Sequence, residues 1–435
     1  MMSGSVIKAP DITRKLFGGI FDVDGSGHYP GLELINLVVC CEEGTLPTTE
    51  KVHVLRVAHD FARRLIADSD MPASKVADVL MNDHTIHTIT HLLKCLELEV
   101  PNVVGSKSWE RTHFFPYTRS LVHWDARRPK GEKNETKPPL LERRYYRGAG
   151  AYAFSVLRHD PDHARLKSVR EGFDNLYPQG RHSPLEQLAL TLKKQGHSDA
   201  NASFDTVEIR SELHNDSWED LFRDGMCNVL SHRGLPTVQR VRAVMNWTSI
   251  WIALMESARA FLLRNPQKPA RLVVDCAGTH PQLRRAAQRC FKDVVTVIEQ
   301  VSRDEGEQQG NLSVQQLGKI RAFYGNTAAA GGLLNAWRGG HRYFTLRLPA
   351  IEAMVLAAVP SGTEVEFDRF LTEWLFARCG IIAGREGASR SGMLKEFDGT
   401  IFEENERRLA DQMRSAGMLK VFSDATRMVH AGGRW

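Results

Sequence analysis

A regularly spaced run of oxygen ligands lies near the start of the chain. Asp22, Asp24 and Ser26 alternate, Gly27 follows, and Glu33 stands at the twelfth position counted from Asp22. An EF-hand loop spaces its calcium ligands, its turn glycine and its bidentate carboxylate in this way. Tyr29, Pro30 and Gly31 depart from that pattern, and no second loop of the kind occurs to pair with the first. A glycine-rich turn between two strands, with Asp22 and Asp24 capping backbone N–H groups, accounts for the same residues without a metal.

A second set is His84, His87 and His91. On a helix, steps of three and four place all three imidazoles on one face, a donor set that suits zinc with a water in the fourth position. The glutamate of H-E-x-x-H is missing, which removes the metalloprotease reading. The competing reading is a polar helix face with locally bonded histidines. With calcium or zinc, either group would make the chain a metal-dependent hydrolase or nuclease. Val273, Val274, Asp275 and Cys276, followed by Gly278 and His280, read as a strand that ends on reactive side chains, but so local a Cys/His/Asp trio lacks triad geometry.

Arginine clusters are the third kind of chemistry. Arg143, Arg144 and Arg147 flank Tyr145 and Tyr146, and Arg338 and Arg342 precede Tyr343 and Phe344. Cations interleaved with aromatic rings suit phosphate contact and base stacking. Arg127, Arg128, Arg284, Arg285 and Arg289 extend the set. The overall balance gives little help: 57 Lys and Arg against 52 Asp and Glu leave a formal charge of +5, which permits a local nucleic-acid patch without requiring one. There is no Walker loop, no strand-coupled G-x-G-x-x-G and no G-x-S-x-G elbow, which argues against an ATPase, a dinucleotide enzyme and a serine hydrolase of those types. The seven cysteines are scattered and form no C-x-x-C pair, as reduced thiols would be. The opening MMSGSVIKAPDITRKLF has no apolar run, so a cytoplasmic location is expected. The most apolar stretch, Val244 to Leu263, is interrupted by Asn246, Glu256 and Arg259 and reads as a buried helix, not a membrane span.

The elements that must position these groups are mostly helical. Apolar residues make up 42% of the 435-residue chain, enough for substantial cores. Residues 1–126 form a first, mostly helical unit. In it 51–67 reads as an amphipathic helix on Val54, Leu55, Ala58, Phe61 and Leu65, and a further helix runs from Thr85 to Leu98. The charged, proline-containing stretch 127–140 marks a linker or exposed loop. Residues 141–344 form a central helical unit. Pro184 opens one helix and Pro236 a longer one that Asn265-Pro266 stops. Arg271 to Asp275 reads as a strand, 303–310 as a polar loop, and 325–340, with five glycines, as a sharp bend.

Residues 345–435 carry the clearest pattern: a helix after Pro349, a second over 366–379, a flexible Gly/Ser/Arg loop, a third over 402–416, and two short strands around Ser423-Asp424-Ala425. Three helices and a β-hairpin, in that order, predict a winged helix, and the whole chain is expected to be mainly α (α+β) with this winged-helix-like end. Arg407, Arg408 and Arg414 lie on the outward face of the third helix. Glu403, Glu404 and Glu406 at its start suit the helix dipole but oppose DNA phosphates, so DNA and protein are both candidate partners of this face.

The runs YFTLRLPAIEAMVLAAV, EFDRFLTEWLFARCGIIAG and FEENERRLADQMRSAGMLKVFSDATRMVH resemble the ends of accessory subunits of multi-gene bacterial anti-phage systems, in particular the seventh component of the methylation-associated defence system. Gly380, Gly417 and the Ser423-to-Thr426 turn carry most of the likeness, which spans about a fifth of the chain (a domain-sized segment). The resemblance implies an accessory subunit of an antiviral complex in the cytoplasm, working beside other defence proteins, a motor ATPase among them, and DNA. It supplies no catalytic residues.

Overall fold

The computed structural model describes residues 7–23, 29–57, 83–98, 114–122, 126–127, 140–141, 148–180, 183–195, 203–276, 278, 280–310, 312–335, 341–423 and 426–432. Among the described residues the protein is mainly helical, 61% helix against 8% strand. In chain order the elements are α1 (Ala9–Phe17), α2 (Pro30–Cys40), β1 (Lys51–Arg56), α3 (Asp83–Leu96), β2 (Ala126–Arg127), β3 (Leu140–Leu141), α4 (Ala149–Arg158), α5 (His163–Leu176), α6 (Pro184–Gln195), β4 (Ser203–Glu208), α7 (Ser217–Ser231), α8 (Thr237–Arg264) and β5 (Leu272–Val273). They continue as α9 (Pro281–Gln309), α10 (Val314–Ala330), α11 (Leu348–Ala358), β6 (Val365–Glu366), α12 (367–378), β7 (Ile381–Ile382), α13 (Arg385–Arg390), α14 (Gly399–Ser415), β8 (Leu419–Ser423) and β9 (Thr426–Val429).

The axis of the molecule is α8, the apolar helix expected from Pro236 onward. Helices α1, α2, α7, α9, α10 and α11 all pack on it. Trp247 and Trp251 are fully buried in its middle. Trp251 stacks on Phe222 at 4.1 Å and on Tyr152 at 5.6 Å, and its indole donates to the Trp218 carbonyl at 2.6 Å, so a large apolar surface is buried with its one polar atom satisfied. Gly225 makes room for Trp247, since a β-carbon there would stand 2.4 Å from the indole ring. The charged interruptions of α8 behave differently from one another. Arg259 is buried and donates to Asp216, Glu219, the Tyr152 hydroxyl and the Phe17 carbonyl, which compensates the removal of its charge from water. Glu256 is buried with no hydrogen-bond partner for either carboxylate oxygen, and desolvation holds its carboxyl well above the usual range.

Helix starts follow the capping chemistry of the sequence. Asp162, Asp216, Ser313 and Asp398 each accept backbone N–H groups at the first turns of α5, α7, α10 and α14. Gly31, one of the residues that depart from the EF-hand pattern, sits in the first turn of α2. A β-carbon there would meet the Met245 backbone at 2.4 Å, so glycine is what lets α2 approach α8. The acidic run therefore joins two helices, α1 and α2, not two strands.

Three other expectations are corrected. Lys51–Arg56 is a strand, because Val52, Val54 and Arg56 alternate inward and the segment pairs antiparallel with Ser203–Glu208; residues 58–82 lie outside the described residues. The 303–310 segment continues α9 to Gln309, with Glu305 and Gly306 buried and Glu305 paired to Lys15 at 2.5 Å. Residues 325–330 continue α10 as helix, and the bend expected over 325–340 falls later, at Gly331 and Gly332, where Gly332 takes a positive φ of 81°.

The end of the chain is tied to the body. Helix α11 is buried along most of its length against α7 and α8. Strand β7 pairs parallel with β5, Leu272 opposite Ile381. A single hydrophobic cluster includes residues from Ile7 to Val429. Within the tail, β6, β9 and β8 form a three-stranded antiparallel sheet in that order. Helix α12 begins as one α-turn and continues as a π-helix over Phe370–Arg378, closed by a bond from the Cys379 N–H to the Trp374 carbonyl at 2.9 Å. The loop expected after it contains the short helix α13.

Candidate functional site

Helix α14 sits between α13 and the β8–β9 hairpin, and its two faces have opposite characters. Ile401, Phe402, Asn405, Leu409, Ala410 and Met413 are buried. Asn405 fixes the helix to the body: its amide donates to the carbonyls of Val274 at 3.0 Å and Ala383 at 2.7 Å, and its carbonyl accepts from the Cys276 N–H at 2.7 Å. One fully buried side chain thus holds the ends of both strands of the β5–β7 pair. The outward face carries Arg407, Arg408 and Arg414, all exposed and without a hydrogen-bond or ion-pair partner among the described residues.

The acidic start of the helix is largely neutralised from outside it. Arg385 pairs with Glu403. Arg427, from the hairpin, reaches Glu406 at 3.3 Å and Asp368 at 2.9 Å. Burial raises the Glu406 carboxyl while Arg427 opposes the shift. The unpaired charges left on α14 include the three arginines, Glu404 and Asp411. One more cation joins them from a place with no motif to announce it. Arg347, just ahead of α11, lines with Arg408, Asp411 and Gln412 a cavity of about 710 Å³, and no ion-pair partner for it exists among the described residues. The hairpin strand β8 exposes Val421 and Phe422, the latter at 66%. Helix α14 therefore offers unpaired guanidinium groups, donors that suit phosphate oxygens, and the hairpin offers an exposed aromatic ring, a π-surface that suits a base or an apolar partner.

The acidic and histidine sets are placed as follows. Glu33 lies in the first turn of α2, wholly buried, and accepts from the Gly148 N–H at 2.9 Å and the Gly150 N–H at 2.8 Å. Burial pushes its carboxyl up to about 7, with Arg56 and the backbone N–H groups opposing. Asp22 is buried as well, while Asp24 and Ser26 lie outside the described residues. His84, His87 and His91 fall on α3; the first two side chains lie outside the described residues, and His91 is exposed with its Nε2 3.8 Å from the Cys95 sulfur. Among the described residues no three His, Cys, Asp or Glu side chains are grouped so as to hold a metal ion.

Arg143, Arg144, Arg147 and Arg338 lie outside the described residues. Arg342 is half-buried with its guanidinium against Gly325 of α10, where a β-carbon would stand 2.5 Å from it. Arg284 pairs with Asp275 at 3.5 Å and lies over the Tyr343 ring. Asp275 also accepts from the Gly278 N–H at 2.8 Å. The Cys276 thiol is buried and pushed up to about 12, and among the described residues no hydrogen bond links Asp275, Cys276 and His280.

Comparison with protein-family models, with curated proteins and with solved structures finds no match for this chain.

Proposed function

We propose that this chain is a non-catalytic, nucleic-acid-binding subunit of a larger assembly, and that its tail is a winged helix in which α14 and the β8–β9 hairpin face the duplex. What supports the reading is the order of elements: α11, β6, α12, then β7 and the short α13 as an insertion, α14, and the hairpin, with sheet order β6-β9-β8. In such a module the third helix enters the major groove and the hairpin lies along the backbone. The observation that carries the proposal is the set of unpaired arginines, Arg407, Arg408 and Arg414, on the outward face of that helix. The anti-phage assembly, with DNA and a motor ATPase as partners, belongs to the proposal through the resemblance of the tail.

Full-length protein is the material for the test, because α11 is buried against the body. Fluorescence anisotropy with a labelled duplex of about 20 base pairs is measured across a salt series. Three or four phosphate contacts from Arg407, Arg408, Arg414 and Arg347 give a slope of log K against log salt of about −3 to −4. Absence of binding at about 50 mM salt, where phosphate contacts are strong, refutes the nucleic-acid reading and leaves the face for a protein partner.

A further inference from the structure

A cavity of about 790 Å³ lies at the junction of α9, the 265–271 segment, the π-helix and the 390–397 segment. Its floor is apolar, built from Val273, Phe376, Ile382, Met393 and Phe397. Its charged lining is Lys268, Arg271, Arg289 and Arg390 against Asp293 and Glu396. Arg390 is committed to Glu386 at 2.8 Å. The other three cations have no carboxylate partner among the described residues.

Arg271 is the informative one. Its guanidinium stacks on the Phe376 ring at 4.3 Å and donates to the Phe376 carbonyl at 2.9 Å, which fixes its plane. Its remaining N–H groups have no protein acceptor among the described residues. A half-buried, oriented and uncompensated guanidinium costs free energy in the empty protein, and an anion would offset that cost. A neighbouring cavity of about 680 Å³ shows the contrast. It also holds three arginines, but there Asp224 bridges Arg165 at 2.5 Å and Arg378 at 2.6 Å, and Glu373 pairs with Arg369 at 3.0 Å. The Cys290 thiol in the first cavity donates to the Arg271 carbonyl at 3.2 Å, which ties α9 to the backbone that carries this guanidinium.

We infer that this cavity binds an amphipathic organic anion, with a phosphate or carboxylate head on Arg271, Arg289 and Lys268 and an apolar body against Phe376, Phe397 and Met393. Size and lining match small-molecule sites, which are mostly apolar with a few placed polar groups. The site is independent of the α14 face, so either assignment stands without the other.

The test is calorimetric titration of the full chain with octanoate, octyl phosphate, octanol, octyltrimethylammonium and inorganic phosphate. One octyl anion, or both, binds at one equivalent, and whichever is tighter assigns the head group. Octanol, the octyl cation and inorganic phosphate each bind at least about tenfold more weakly, since each lacks one half of the match. Arg289→Ala, on the exposed side of α9, keeps the melting temperature and weakens the octyl anion by about five- to tenfold; Lys268→Ala acts the same way. Arg271→Gln weakens it further, with a thermal melt to show that the variant is folded. No octyl anion bound at about 1 mM, the weak end of specific affinity, overturns the inference. So does equal binding of the octyl cation, or an affinity indifferent to Arg289→Ala and Lys268→Ala.

Discussion

Glu33 makes a sharp prediction about pH. Its carboxyl is wholly buried between α2 and α4 and titrates near 7, against an ordinary value of 4.5. A raised carboxyl favours the folded state when protonated. The contribution is therefore present below about 4.5 and is lost as pH rises through 7. A shift from 4.5 to about 7 corresponds to roughly 3 kcal/mol at about 1.4 kcal/mol per unit. Other raised carboxyls, Glu352 and Glu406 among them, titrate too, so the raw pH profile of the protein does not isolate Glu33. Glu33→Gln does. The amide has no proton to gain, and its misplaced NH2 group toward the Gly148 N–H adds only an offset that does not vary with pH.

Urea denaturation of both proteins from about pH 4.5 to 8, the window set by this shift, gives two stability curves. Their difference, wild type minus variant, falls by about 3 kcal/mol across the window. A difference that stays flat refutes the reasoning that burial dominates Arg56 and the backbone N–H donors of Gly148, Gly150 and Ala151. Calcium provides a second arm. If Glu33 served a cation loop with Asp22, about 5 mM calcium at pH 8 would stabilise wild type and not the variant, because a ligand that binds only the folded state raises its stability. The hydrogen bonds from Gly148 and Gly150 predict no such effect.

Two other substitutions test the packing account. Glu256→Met removes a buried carboxyl that has no hydrogen-bond partner, so stability rises by about 1–3 kcal/mol in urea denaturation, and a loss contradicts the reading. Asn405→Ala leaves the Val274 and Ala383 carbonyls and the Cys276 N–H without the partner that joins them. Stability falls by about 2–4 kcal/mol and the Cys276 amide exchanges faster, whereas an unchanged exchange rate removes Asn405 as the clamp of the β5–β7 pair.

Elements with local signals were legible in the sequence. Pro236 and Asn265-Pro266 bracket α8, and the tail's helix order and hairpin follow from its apolar spacing and Gly417. Elements that depend on distant partners were not. Lys51–Arg56 takes strand form because it has Ser203–Glu208 to pair with, and the apolar residues after it carry a helical spacing that masks its own alternation. The polar end of α9 looks like a loop until Lys15 and Leu312 are placed against Glu305 and Gly306. The roles of two glycines were hidden for the same reason. Gly31 and Gly325 are close-approach positions, to the Met245 backbone and the Arg342 guanidinium, and not breaks in helices. At the candidate site the arginines of α14 were visible, but their balance was not. Which acids are neutralised depends on Arg385 and Arg427, and the contribution of Arg347 depends on where α11 docks.

The central claim rests on three guanidinium groups, and one comparison tests it most directly. Arg407→Ala, Arg408→Ala and Arg414→Ala are combined in the full chain. A control combines Arg210→Ala, Arg264→Ala and Arg321→Ala, exposed arginines outside the tail whose loss changes the net charge equally. Duplex affinity by anisotropy at about 100 mM salt falls by at least about tenfold in the α14 variant, and its salt slope drops by about 3, while the control stays within about twofold of wild type. Equal loss in both variants, or none in the α14 variant, contradicts the assignment of this face to nucleic acid.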